Sequence, residues 1–190
     1  MKRILGALGG VVVLLAAVVA AAGTANGTSS PRTYHVRGTQ TVVDENAGTY
    51  RMHGALVGAW ATTSFAPTFE SDTLFVGVGT ERFRGCVDTN RNRSCQDGER
   101  HGAITFSFTY WANYDRTTGA FLHGQCVHPV TGGSGGFAGA SGLLLMNDTV
   151  HGDTVVTTYK GQLQFGASGA AAQRVPAAPA AAPAVHRPAC

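Results

Sequence analysis

The chain has 190 residues, a length that suits one domain with tails. Charged residues make up 13% of it, about half the usual share, so no large solvated charged surface is on offer. Lys2 and Arg3 sit at the extreme N-terminus, and without them the formal charge drops by two, from +3 to +1; a chain so nearly balanced has no basic field for nucleic acid.

Residues 1–25 read as an export signal. Lys2 and Arg3 lead an apolar run from Ile4 to Ala22, followed by small residues suited to cleavage at Ala20-Ala21-Ala22 or Gly23-Thr24-Ala25. The run is also near the roughly 20 residues a membrane anchor requires. The small-residue exit favours cleavage, which leaves no stable membrane span and a secreted, extracellular or cell-envelope protein. Residues 26–33 are a polar linker.

The first strand runs from Tyr34 to Val43 and stops at the turn-like Asp44-Glu45-Asn46-Ala47-Gly48. Thr49 to Phe65 reads as one long extended segment with Met52, Leu56 and Trp60 on one parity, and Pro67 breaks it. Gly54 and Gly58 share that parity, as a kink or a close backbone approach needs. Thr73 to Gly79 is a further strand that Thr80 to Val87 continues. The clearest strand spans Gly102 to Asp115. Ile104, Phe106, Phe108 and Tyr110 alternate there with Thr105, Ser107, Thr109 and Trp111, so the aromatic set shares one buried face. Thr117-Thr118-Gly119 lies in a hairpin connection to a strand over Ala120 to His128. A Gly-rich run leads to a strand from Leu143 to Asn147, Asp148 to Asp153 is a polar turn, and Val155 to Phe165 alternates again.

Seven to nine short strands with turns between them predict an all-β fold. Sequential connections favour an antiparallel up-and-down barrel of about eight strands over residues 34–166. Closure also removes the sheet edges that such apolar strands would expose. Residues 167–190 are rich in Ala and Pro and predict a disordered tail.

The stretch Gly132-Gly133-Ser134-Gly135-Gly136-Phe137, continued by Gly139-Ala140-Ser141-Gly142, resembles the Gly-Gly-Thr-Gly-x-Phe turn and strand of the allene oxide cyclase and dirigent barrel superfamily. The hairpin from Trp111 through Gly119 to Val130 is similar to theirs as well. The resemblance covers about Tyr34 to Phe165. It implies an eight-stranded antiparallel barrel with a hydrophobic lumen, often a homo-oligomer in the plant members; the stripe of Phe106, Phe108, Tyr110 and Tyr114 is most economically core packing, and lines a lumen for a small apolar ligand only where the barrel is incompletely filled. No pocket residue of those enzymes maps onto this chain by motif, so the resemblance carries architecture and no activity.

One segment has metal-ligand spacing. Asp88, Asn90, Asn92, Ser94 through its carbonyl, Gln96 and Glu99 fall at the positions of an EF-hand-type calcium loop. Arg93 stands where such loops use Gly, and two anionic ligands imply weak affinity. An Asn- and Asp-rich turn between strands accounts for the same residues. Cys86 and Cys95 bracket this loop, and a disulfide between them would contribute roughly 2–3 kcal/mol. Cys126 and Cys190 are then free or joined.

His123, Cys126 and His128 do not make a metal site, because His123 points away from the face that Cys126 and His128 share. Gly133-Ser134-Gly135 is a turn without the following helix that a nucleophile elbow or phosphate loop requires. Glu70, Asp72 and Glu81 are candidate acid–base groups wherever the barrel turns them inward. The residues therefore lead to a non-catalytic secreted barrel with a possible small apolar ligand and structural calcium. The alternatives are a cyclase, isomerase or dirigent-like enzyme working in the lumen, and an envelope-associated interaction scaffold.

Overall fold

The structure, a computed structural model, describes residues 31–152 and 154–166. The signal segment, residues 26–30 of the linker and the 167–190 tail lie outside the described residues. Eight antiparallel strands form a closed barrel in sequence order: β1 (Arg32–Asp44), β2 (Thr49–Gly54), β3 (Leu56–Glu70), β4 (Leu74–Val87), β5 (Arg100–Tyr114), β6 (Phe121–Gly135), β7 (Ser141–His151) and β8 (Thr154–Phe165). The first strand begins at Arg32, two residues before the expected Tyr34, because Arg32 and Thr33 already pair with Phe165 and Gln164. Among the described residues no helix is long and apolar enough to cross a membrane.

Other boundaries differ from the sequence expectation too: β6 runs on to Gly135 and β7 to His151. Thr49 to Phe65 is a hairpin, with Thr49 opposite Ala61 and Met52 opposite Gly58. Gly54 makes the reversal with φ +104, and an added Cβ there would lie 2.6 Å from the Arg37 carbonyl. The turn is clasped from inside the barrel by Tyr159. Its hydroxyl accepts the Leu56 N–H at 2.8 Å and donates to the His53 carbonyl at 3.0 Å. Pro67 does not end β3; it lies in the strand at a register shift between Pro67 and Phe69, where its missing N–H is tolerated.

Alternation decides what is inside. The inward side chains include Val36, Met52, Leu56, Trp60, Phe83, Ile104, Phe106, Leu144 and Met146, all buried. The outer wall carries residues such as Arg37, Thr39, Thr158, Lys160 and Gln162. A membrane-spanning barrel has the opposite pattern, apolar outside and polar within. The two ends also differ. At the end where β1 begins and β8 ends, Phe137 folds in from the β6–β7 turn and packs on Phe165 at 4.9 Å and Phe83 at 6.2 Å between ring centroids. Arg100 donates to the Gly136 carbonyl over the same plug. At the opposite end, bounded by the β1–β2, β3–β4, β5–β6 and β7–β8 turns, Phe65, Phe75, Tyr114 and Phe121 are only half-buried. The lumen is thus sealed below and less tightly covered above.

Candidate functional site

Midway down the lumen the inward positions carry ionisable groups. On β4, Glu81 is 2% exposed, and on β6, His128 is fully buried. His128 Nε2 and Glu81 Oε2 lie 2.8 Å apart. The other carboxylate oxygen of Glu81 accepts the Thr62 hydroxyl at 3.0 Å. Rings surround the imidazole: Trp60 meets it edge-on at 5.5 Å, Phe108 at 5.7 Å and Phe106 perpendicularly at 6.2 Å. Trp60 also stacks on Phe106 at 4.8 Å. Aromatic walls exclude water, and in a medium of low polarity the attraction between the paired groups is strong while each alone is costly.

A second acidic group lies nearer the open end. Asp148 on β7 is 1% exposed and accepts the Thr157 hydroxyl. Burial pushes its carboxyl up to about 6, against the opposing effects of that hydrogen bond and of His123 and His128. Gly124, opposite Asp148 on β6, makes room for it. A Cβ at Gly124 would lie 3.0 Å from both Asp148 Oδ2 and the Tyr110 hydroxyl. Burial, with Asp148 adding to it, raises the Tyr110 phenol above its ordinary range; burial with Glu81 does the same to Tyr50.

Several polar atoms around these groups have no partner. Both amide atoms of Gln40, Trp60 Nε1 and His128 Nδ1 are buried without a hydrogen bond, and the Tyr50 hydroxyl faces Thr62 without good hydrogen-bond geometry. A buried polar group left unsatisfied costs about 1–3 kcal/mol. Such atoms are few in most folded proteins, and here they converge on one lumen.

The acid–base candidates therefore divide. Glu81 points inward, whereas Glu70 and Asp72 are exposed near the β3–β4 turn. Asp148, expected in a polar turn, belongs to a strand and the lumen. His128 and Cys126 share the inward face and His123 does not; His123 Nδ1 instead meets the Asp148 carbonyl at 3.1 Å. Among the described residues no cluster of three His, Cys, Asp or Glu side chains forms a metal site.

The calcium-spaced loop joins β4 to β5. Asp88 accepts the N–H groups of Asn92 at 3.2 Å and Arg93 at 2.7 Å, Asn90 accepts that of Asn92, and Asn92 accepts both the N–H and the hydroxyl of Ser94. Glu99 accepts Thr89 N–H with one oxygen and Gln96 N–H with the other. Desolvation opposes it, but the N–H groups of Gln96, Thr89 and Asn90 hold the Glu99 carboxyl below its usual range. Arg91 and Arg93 take positive φ values of 63° and 66°, which lets the chain curl without the expected glycine. The Cys86–Cys95 disulfide closes the loop with Cα atoms 5.6 Å apart. No described cysteine is free.

A groove of about 480 Å³ lies across β3 to β6, lined by outward residues such as Ala66, Val78 and Pro129 and also by the rings of Phe65 and Phe108. None of the residues lining it is titratable. No protein-family model matches the chain, and no curated protein matches it in sequence.

Two outcomes follow from this geometry. Glu81→Leu, which strands His128 in an aromatic box, should destabilise the fold by about 3–5 kcal/mol, and adding His128→Phe should recover much of that loss. Chemical denaturation of the two single variants and the double variant measures the coupling; additive losses would show the pair to be inert. For Asp148, the folded-state value of about 6 exceeds the ordinary 3.8. The folded form therefore holds the proton more tightly, and this contribution to stability is full below about pH 4 and lost as pH rises to about 6. The decline is on the order of 2–3 kcal/mol. Asp148→Asn keeps an acceptor for Thr157 and should remove that decline; equal pH profiles for parent and variant would contradict it.

Proposed function

We propose that the protein is an exported barrel that binds a small, largely apolar molecule bearing one hydrogen-bonding group, seated in the lumen and reached from the turn end. The observation that carries this reading is that Gln40, Trp60 Nε1 and His128 Nδ1 are buried inside the barrel without a hydrogen-bond partner among the described residues, below a rim of half-buried aromatic rings. A carbonyl or hydroxyl on the ligand would satisfy them, and Phe65, Phe75 and Tyr114 would cover its apolar part. The lower half is packed with side chains up to the Phe137 plug, which limits the ligand to the upper half and to small size. The disulfide fits an oxidising compartment, in keeping with export. The eight-stranded closure agrees with the architecture of the allene oxide cyclase and dirigent barrels, and membership of that superfamily is part of the proposal.

A second reading is favoured by the Glu81–His128 pair with Asp148 close by. Two carboxylates and an imidazole in a dry lumen suit proton transfer during an isomerisation or cyclisation of the bound molecule. Conversion of that molecule on incubation would select this reading; release unchanged would select the binding protein.

Protein purified without denaturation should release a stoichiometric small molecule on organic extraction, detected by mass spectrometry. Gln40→Leu should retain much less of it while keeping the barrel's circular dichroism. An empty extract from folded parent protein, together with no binding of added apolar alcohols or ketones, would remove the lumen reading.

Calcium at the Asp88–Glu99 loop also belongs to the proposal, carried by the residue spacing. Glu99 would have to exchange its Thr89 and Gln96 donors for the ion. A higher melting temperature in millimolar calcium, reversed by chelator, is the expected result; an unchanged melting temperature would dismiss the ion.

A further inference from the structure

The near balance of formal charge conceals a separation in space. Arg37 on β1, Arg51 on β2, Arg82 and Arg84 on β4 and Lys160 on β8 alternate with lumen-facing residues, so these side chains stand on the outer wall. Arg82 is half-buried and the others are exposed. Every described carboxylate lies elsewhere: at the turn end (Asp44, Glu45, Glu70, Asp72 and Asp115), in the lumen, or in the β4–β5 loop. Asp44, the nearest of them in register, accepts the Ala47 N–H of its own turn. Among the described residues the one ion pair is His128–Glu81, inside the barrel, so none of the wall cations has a carboxylate partner there. We infer that this wall binds a flexible linear polyanion whose charge is carried by phosphate esters along its backbone.

Register sets the spacing of the site. Arg51 and Arg84 both pair with Ala59 of β3, one from each side, which puts their Cα atoms about 10 Å apart, two strand spacings. Arg82 follows on the same face of β4, about 7 Å from Arg84 and opposite Ala61. Two alanines thus make a low floor between three guanidinium groups, whose planar forks suit phosphate oxygens. Arg82 Nε has no hydrogen-bond partner, so the fold supplies no acceptor of its own at that atom. Further round the wall, Arg37 is directly opposite Lys160. Like charges so placed destabilise a sheet, and an anion lying between them removes the penalty.

Shape and composition choose among anions. From β8 round to β4 the cations span half of the closed barrel. A flat bilayer touches a cylinder along one line, whereas a flexible chain follows the curve. Exposed large hydrophobic side chains gather at the turn end, as Val42, Phe69, Leu122 and Val150 do. None is in register with Arg51, Ala59 and Arg84, where an apolar anchor would have to help hold a membrane. The neighbours of the three arginines on this face are Thr49, Ala59, Ala61, Ala103 and Thr105, with no ring on which a nucleic-acid base could stack. The acidic turn end repels the same polymer and leaves the mouth of the barrel clear.

The full folded chain should bind long-chain inorganic polyphosphate in a calorimetric titration at low salt. Contacts from all the wall cations should make affinity fall on the order of a hundredfold between about 50 and about 200 mM salt. Arg51→Gln combined with Arg84→Gln should lower affinity about tenfold or more, with circular dichroism and melting temperature as in the parent. Arg116→Gln removes a cation at the acidic turn end and should leave binding unaltered. No heat with polyphosphate, an affinity indifferent to salt, or an equal loss from Arg116→Gln would overturn the inference. Tighter binding of phosphatidylglycerol vesicles or of single-stranded DNA would overturn it too, by assigning the wall to a different partner. The lumen and its ligand have no part in this site, so an empty lumen leaves the outcome of the titration standing.

Discussion

The pairing of β1 with β8, from Arg32 opposite Phe165 to Gln40 opposite Thr157, is the constraint from which the rest follows. Without it the sheet would have two long edges, each presenting unpaired backbone groups and apolar side chains to water. With it every inward residue of eight strands shares one lumen, and side chains far apart in sequence become neighbours. Glu81 and His128, from strands that do not pair with each other, meet across that lumen rather than along a ladder.

Closure also dictates how the ends are treated. Where β2 turns sharply into β3, the Tyr159 hydroxyl reaches across from β8 to satisfy backbone groups of both His53 and Leu56. Where β6 turns into β7, the Gly-rich connection swings Phe137 inward as a plug. Both devices lie at the end where β1 begins and β8 ends, and together they make that end a conventional core. Among the described residues the turn end has no counterpart to Phe137. This asymmetry gives the molecule a direction, with packing below, polar groups at mid-height and a rim of partly covered aromatic rings above.

The barrel itself was legible because β5, one of its three 15-residue strands, alternates without a glycine or proline between Ile104 and Tyr114, and period two cannot be mistaken for a helix there. The Cys86–Cys95 bond was legible from spacing and export. The β2–β3 hairpin was not, since its turn is a single glycine flanked by residues that suit strands on both sides, and parity carries through it unchanged. Asp148 was hidden by composition: Asn147-Asp148-Thr149 reads as a turn, and only the register with Gly124 and Thr157 places its carboxylate inside. Parity did put His128 on the same face as Cys126 and opposite to His123, and Glu81 was an acid–base candidate conditional on orientation. Their meeting depended on strand order and barrel tilt, which one sequence does not encode locally.

Polar groups inside an apolar barrel are expensive, and a core built for stability alone would replace them with leucine or valine at no loss of packing. The cost is partly offset where Glu81 pairs with His128 and Thr62, and where Asp148 pairs with Thr157. It is not offset at Gln40 or at Trp60 Nε1. If the polar cluster served only to fix the register of the barrel, its atoms would be expected to satisfy one another, as the Tyr159 clasp does with its backbone partners. The unmet donors and acceptors of Gln40, Trp60 Nε1 and His128 Nδ1 sit between the packed Phe137 end and the half-buried aromatic rim, and it is on them that the proposed lumen site rests.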